Sequence, residues 1–295
     1  MDESGDSGLS APTQTQNKST RVLVISRSAG GMNDEVEVKL RSAFADYLVL
    51  DFDPDQDLEP MLSPEARIVV AGGDGTVEHF VRKFADSRHP IGIIPLGTFN
   101  NLAHALSLPT NLDEAIEVAR AGHPRPITLG RVSGKVFVEA CAIGLFGEAI
   151  ALGESAKDLE FGKLASKLKD VIDARPFHYE LTGDIEGSGT AMSLVFSNTA
   201  SIGGQLPVAE GSPTDPYLEF SVHAGRTRTD IVGRIIASAV IGKHSDEGSA
   251  QVFRFRKVEV KTRPRVRVYA DNFLVGRTPA TITAEASAVK VLLPH

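Results

Sequence analysis

Residues Arg67 to Phe80 read RIVVAGGDGTVEHF. An uncharged run, Ile68 to Ala71, leads into two glycines, an aspartate, a third glycine and a threonine. Val77, Phe80, Val81 and Phe84 then recur at the i, i+3, i+4, i+7 spacing of an amphipathic helix. The stretch therefore predicts a strand, a glycine-rich bend and a helix. Glycines let backbone N–H groups come close to an anion, and the start of a helix favours negative charge. A strand end of this kind is where open α/β sheets bind phosphate-bearing ligands. Asp74 is the unexpected residue, because a carboxylate in a phosphate bend must serve something other than the phosphate.

The same unit recurs one step later. PIGIIP predicts a strand, and PLGTFNNLAHAL (Pro95 to Leu106) follows it with Gly97 and Thr98 in the bend. Phe99, Leu102, Ala103 and Leu106 lie at helical spacing, with Asn100 and Asn101 at the helix start. Two such bends at consecutive strand ends predict a cleft whose N–H and amide donors face a nucleotide polyphosphate. Outward from there, RVLVIS and YLVLDF predict strands and NDEVEVKLRSAFADY a helix with Val36, Leu40 and Phe44 on one face. In NLDEAIEVARAG, Asn111 and Glu114 form a capping pair and Gly122 ends the helix. Strands alternating with helices imply a mainly parallel sheet.

The pattern changes after Pro126. ITLGRVSGKVFVEACAIG predicts two strands around a Ser133-Gly134 turn, and FHYELTGDIEGSGTAMSLVFSN another hairpin. YLEFSVHA, VFRFRKVEVKT, RVRVYADNFLVG and ATITAEASAVKVLLP add further strands, with helices near residues 154–174 and 228–241. The predicted organisation is a disordered leader (1–20), a nucleotide-binding α/β domain with a mainly parallel sheet (21–124), a β-rich, sandwich-like domain (125–280) and a C-terminal segment (281–295).

The chain has 295 residues, a net charge of −7 and one cysteine, Cys141. The acidic balance argues against nucleic acid as a partner. A single cysteine forms no internal disulfide and reads as a buried small side chain. The first twenty residues lack the basic and apolar regions of a signal peptide, and no apolar run is long enough to span a bilayer. These features predict a cytoplasmic protein. His79, His104, His178, His223 and His244 show no metal-ligand spacing, and no G-x-S-x-G element is present.

Gly72-Gly73-Asp74-Gly75-Thr76, followed by Pro95-Leu96-Gly97-Thr98 and Asn100, closely resembles the catalytic domain of the diacylglycerol kinase and sphingosine kinase family, in particular its bacterial lipid kinases. FVEACAIGLFGE, GGQLPVAEGSPTDPYLEFSV and VYADNFLVGRTPATITAEASAVKVLLP resemble later family segments in the same order. The resemblance implies an α/β nucleotide domain, a β-sandwich lipid domain and a C-terminal segment returning to the first. It also implies phosphorylation of a lipid hydroxyl with ATP and magnesium. It places Gly72, Gly73, Asp74, Gly75, Thr76, Val77, Glu78, Gly97, Thr98 and Asn100 on the nucleotide, and Ser212, Asp215 and Tyr217 around a structural magnesium ion. It makes Asp74 essential, whether by holding magnesium, directly or through water, or by orienting or deprotonating the attacking hydroxyl.

Four departures from the family pattern stand out. Ser26-Arg27, followed by Ser28-Ala29-Gly30-Gly31, replaces the usual Asn-Pro after the first strand. Asn100-Asn101 replaces Asn-Asp. Pro216 follows Asp215 where a glycine is usual. Asp271-Asn272-Phe273 replaces Asp-Gly-Glu, whose glutamate is the family's proton acceptor. Phenylalanine accepts no proton, so Asp271 or Asp74 is left to take that role, or transfer is inefficient. A helix carrying Phe161, Leu164, Ala165, Leu168 and Ile172 on one face and Lys163, Lys167 and Lys169 elsewhere suits either a core or the inner face of a membrane. A second copy of the chain is a further candidate partner. Two other readings stay open: an NAD kinase, which shares the G-G-D-G-T bend, and a weakly catalytic nucleotide- or lipid-binding regulator.

Overall fold

The computed structural model describes residues 19–148, 175–202, 206–207, 210–223 and 252–294. The two helices expected near 154–174 and 228–241 lie outside the described residues. The described chain forms eighteen strands and four α-helices. The first half runs β1 (Ser19–Ile25), α1 (Asp34–Ala43), β2 (Leu48–Asp51), β3 (Leu62–Gly72), α2 (Asp74–Lys83), β4 (Ile91–Pro95), α3 (Asn101–Ala105) and α4 (Leu112–Ala121). The described residues of the second half form strands, apart from a helical turn at 145–148: β5 (His123–Val132), β6 (Lys135–Phe137), β7 (Ala140–Gly144), β8 (Phe177–Gly183), β9 (Gly187–Ala191), β10 (Ser193–Ser197), β11 (Ser201–Ile202), β12 (Leu206–Pro207), β13 (Leu218–His223), β14 (Val252–Phe255), β15 (Lys257–Arg263), β16 (Arg267–Ala270), β17 (Phe273–Arg277) and β18 (Ala280–Leu293).

The strands β2, β1, β3 and β4 are parallel neighbours in that order. Both faces of this sheet are covered, which is why its strands read as unbroken apolar runs. On β1, Val22 and Val24 join the core beneath α2 and α3, with Phe80, Phe84 and Leu102. Leu23 and Ile25 face the other way, onto Leu40 and Phe44 of the α1 region and Ile116 of α4. Each fully buried side chain of this size contributes about 1.5–3 kcal/mol.

Asn33 caps α1, its side chain accepting from the Val36 N–H, and Asn111 caps α4 by accepting from Asp113 and Glu114 N–H groups. Helix α3 starts where expected, with Asn100 as its N-cap in a left-handed backbone (φ 50°) and Asn101 as its first residue. Gly122 ends α4 in an extended conformation. It is glycine because a Cβ there would lie 2.5 Å from the Val118 carbonyl and 2.8 Å from that of Leu293.

In the second half, the Ser133-Gly134 turn forms as expected, both residues having positive φ. VFRFRKVEVKT, read as one strand, divides between two sheets: β14 ends the six-stranded sheet β14-β13-β10-β7-β16-β17, and β15 joins the larger sheet. Phe137, Cys141, Phe196, Phe220, Val258 and Ile282 pack between the layers. Strand β18 belongs to both halves. One edge pairs with β5 along its length; the other pairs with β15 at its start and, in parallel, with β4 at Val291 and Ile91.

Candidate active site

Three bends meet at the carboxyl ends of β1, β3 and β4. Gly73 is the N-cap of α2, and the N–H groups of Thr76 and Val77 both donate to its carbonyl. Asp74 is therefore the first residue of the helix. Its Oδ1 accepts from the Asn101 N–H at 2.9 Å, which ties α2 to the start of α3. Gly97 faces its Oδ2: a Cβ at position 97 would lie 2.7 Å from that oxygen and 2.8 Å from Asn100 Oδ1. Asn100 closes its own bend, accepting from the Gly97 N–H at 2.8 Å and donating to the Gly97 carbonyl at 2.9 Å. The β1 bend folds over this one, with the Gly31 N–H donating to the Leu96 carbonyl at 2.9 Å.

The departure at Ser26-Arg27 has a local explanation. Ser26 is buried and its hydroxyl accepts from Thr76 Oγ1 at 3.1 Å, joining the β1 and β3 bends. Arg27 turns outward to Glu37, at 2.7 Å, and to Asp51. Val77 is core, and Glu78 accepts from Arg82 Nη1 at 3.0 Å.

Behind Asp74 lies a cluster that the sequence did not reveal. Arg82 Nη1 also donates to Asp271 Oδ2 at 2.6 Å. Asp271 sits in the two-residue turn between β16 and β17 with a left-handed backbone (φ 46°). Its carboxylate further accepts from the N–H groups of Val138, Glu139 (2.8 Å) and Ala140. The Arg82 guanidinium lies 5.6 Å from the centre of the Phe273 ring. Glu139 is buried and its Oε2 accepts from Asn101 Nδ2 at 3.2 Å. Asp74, Glu78, Glu139 and Asn100 line one small cavity together with Pro95 and Leu102.

Burial pushes the Glu78 carboxyl up to about 8, and the nearby Asp271 charge adds to the effect against the opposing pull of Arg82. Glu139 is held well above the usual carboxylate range by burial, then by Glu78 and Asp271. A group in each half was missed. The signal for Glu139, an acid inside the apolar run FVEACAIG, was present in the sequence. The signal for Arg82 was not, since on a helix surface it reads as an ordinary solvated cation.

Ser212, Asp215 and Tyr217 are brought together, but as a closed turn. Asp215 Oδ2 accepts from the Ser212 N–H at 3.0 Å, and the Ser212 carbonyl accepts from the Asp215 N–H at 2.9 Å. The Asp215 carbonyl accepts from Thr128 Oγ1, and the Tyr217 ring stacks under Arg254 at 4.7 Å. One carboxylate oxygen of Asp215 and the Ser212 carbonyl are thus engaged within the turn. Among the described residues no group of three His, Cys, Asp or Glu side chains could hold a metal. Cys141 is buried, as expected, and burial pushes its thiol up.

Residues 22–132 match the family model for the diacylglycerol kinase catalytic domain, and residues 152–293 match the model for a YegS C-terminal NAD kinase beta sandwich-like domain. Residues 22–132 belong to the diacylglycerol kinase catalytic-domain family. It is 29% identical over 243 residues to a diacylglycerol kinase of Mycobacterium tuberculosis, covering 77% of each chain. It is 26% identical over 235 residues to one of Bacillus subtilis, again covering 77% of each. The fold is that of a solved diacylglycerol kinase from Bacillus anthracis (TM-score 0.65, 19% identity, covering 93% of this chain and 96% of that one). An NAD kinase from Archaeoglobus fulgidus in complex with ATP shares it more distantly (TM-score 0.53, 17% identity, 93% of each chain). Among the described residues no helix is long and apolar enough to cross a membrane.

Proposed function

We propose that this chain is an ATP- and magnesium-dependent lipid kinase that phosphorylates the hydroxyl of a diacylglycerol-like lipid. The observation that carries the reading is Asp74: a half-buried carboxylate at a helix start, one oxygen fixed by the Asn101 N–H and the other beside Gly97, where no side chain fills the space. The names of its relatives supply the lipid acceptor.

Phosphoryl transfer relies on positioning and on neutralising charge. Asp74 and Gly75 N–H groups at the start of α2 would bind phosphate oxygens, with the helix dipole behind them. Gly72, Gly73, Gly97, Thr98 and Asn100 would line the remaining phosphate path, and Gly30 and Gly31 would cover it. Asp74 is a hard oxygen donor beside that path, so it and the phosphates fit a magnesium ion. When bound, that ion would spread the charge of the transferring group. Thr76 keeps the β3 bend closed through Ser26. Asp271 is assigned to anchoring rather than to proton transfer, because its oxygens already serve three N–H groups and Arg82. That leaves Asp74 to orient the attacking hydroxyl and receive its proton. The lipid would approach between the halves, with the protein visiting the inner face of a membrane.

The test is to incubate the protein with radiolabelled ATP, magnesium, a total lipid extract and NAD as the competing acceptor. Label in a glycerolipid is expected. No labelled lipid, with label transferred to NAD instead, would overturn the reading.

A further inference from the structure

We propose that Glu139, a residue of the β-rich half, positions Asp74 through Asn101, so that the nucleotide bend is set from the second domain. This rests on the lipid kinase reading for its rate effect but not for its geometry. Glu139 has a fixed origin: its backbone N–H donates to Asp271 at 2.8 Å and its carbonyl accepts from the Asn198 N–H at 2.7 Å. From there the Oε2 accepts the Asn101 side-chain amide at 3.2 Å. Asn101 is 3% exposed and Glu139 7%, so solvent does not compete for that bond. Asn101 is also the residue whose backbone N–H holds Asp74 Oδ1. Helix α3 has only five residues and little stability of its own. The orientation of its first N–H therefore depends on what grips that residue, and Glu139 grips it from across the domain boundary.

The contact requires a donor at position 101 facing an acceptor at position 139. Asn101 Nδ2 donates, and the Glu139 oxygen accepts whether the carboxyl is protonated or not. An acid at position 101 would remove the donor and set two carboxyls against each other, and a glutamine at 139 would restore one donor and one acceptor.

Four variants test this: Glu139→Ala, Glu139→Gln, Asn101→Asp, and Asn101→Asp combined with Glu139→Gln. Each is read by lipid phosphorylation and by amide hydrogen exchange across residues 97–103. Misplacing a reacting group by about 1 Å costs on the order of 10²-fold in rate. We expect Glu139→Ala and Asn101→Asp to lose turnover on that scale, in kcat rather than in the KM for ATP, with faster exchange at Asn101. Glu139→Gln should keep most of the turnover, and the double variant should recover at least about tenfold over Asn101→Asp. Should Glu139→Ala fail to fold, the two Asn101→Asp variants still decide. Wild-type kcat in Glu139→Ala, or a double variant no better than Asn101→Asp in both readouts, overturns the proposal. Recovery of exchange protection in a protein that labels no lipid overturns the kinase reading and sustains the positioning role.

Discussion

The phosphate bends and the acid cluster lie on two sides of Asp74 and are built in opposite ways. The bends are consecutive residues, and their shape comes from glycine and backbone: Gly97 leaves room for Asp74 Oδ2, and Asn100 bonds to its own bend. The cluster is assembled from side chains far apart in sequence. Glu78 and Arg82 come from α2, Glu139 from the chain before β7, and Asp271 from the β16–β17 turn. In the proposed function the first region presents donors to a ligand. The second presents none, because its groups bond to one another across the two halves. The difference separates what binds from what aligns.

The comparison is broken most severely at Asp74. Asp74→Ala should lower lipid phosphorylation by on the order of 10³-fold while the melting temperature stays near wild type, and near-normal turnover would end the assignment. Gly97→Ala comes next. Its Cβ must displace Asp74 or Asn100, so nucleotide-dependent turnover should fall about 10²-fold, and titration with a fluorescent ATP analogue should show weaker binding. Arg82→Met acts on the other region. It leaves Asp271, only 3% exposed at its side chain, without its cation. Removing one partner of such a buried pair costs about 3–5 kcal/mol, which denaturant unfolding would measure. A change in turnover without that stability loss would place Arg82 among the binding groups instead.

Acidity sharpens the contrast further. The folded protein holds Glu78 at about 8 against 4.5 for an ordinary glutamate, and Glu139 moves in the same direction. Between those values the native state carries more protons than the unfolded chain, so stability should fall as pH rises through that window and level off above it. Glu78→Gln should flatten the slope in melting temperatures taken from about pH 5 to 9. The smallest effect belongs to Phe273. Phe273→Leu removes a ring from Arg82, about 0.5–1 kcal/mol at such a site, and should change stability slightly and turnover little. Phe273→Glu should place a carboxylate against Arg82 in place of the ring. A rise in turnover with that variant would show that proton acceptance is limiting and would return a catalytic role to this segment.

Much of the first half was legible because its signals are local. The spacing of Val77, Phe80, Val81 and Phe84, the Asn111 cap and the glycine bends each follow from a few adjacent residues, and each forms. Asn100 and Asn101 were legible as a helix start, though the left-handed backbone of Asn100 leaves no periodic signature. The second half was legible as strands but not as sheets. VFRFRKVEVKT changes sheet between Phe255 and Lys257, and nothing in its alternation marks the break. At the site, Gly72–Thr76 and Pro95–Asn100 announced themselves. Glu78 does line the cavity of Asp74, but its bond to Arg82, which Asp271 also holds, was not legible. The Ser212–Tyr217 stretch reads as a set of ligands only through its family resemblance. The turn that joins Ser212 and Asp215 through their own hydrogen bonds was not legible in the sequence.

Strand β18 carries a consequence for biosynthesis. Its residue Val291 pairs beside Ile91 of β4, so a sheet begun by the first half of the chain is closed by one of the last strands to be made. While the ribosome is still adding the intervening strands, β4 keeps an unpaired edge, and an open edge invites pairing with other chains. The nascent nucleotide half is therefore most exposed to aggregation before β18 emerges, and shielding of that edge by chaperones would matter more to yield than any single contact in the finished protein.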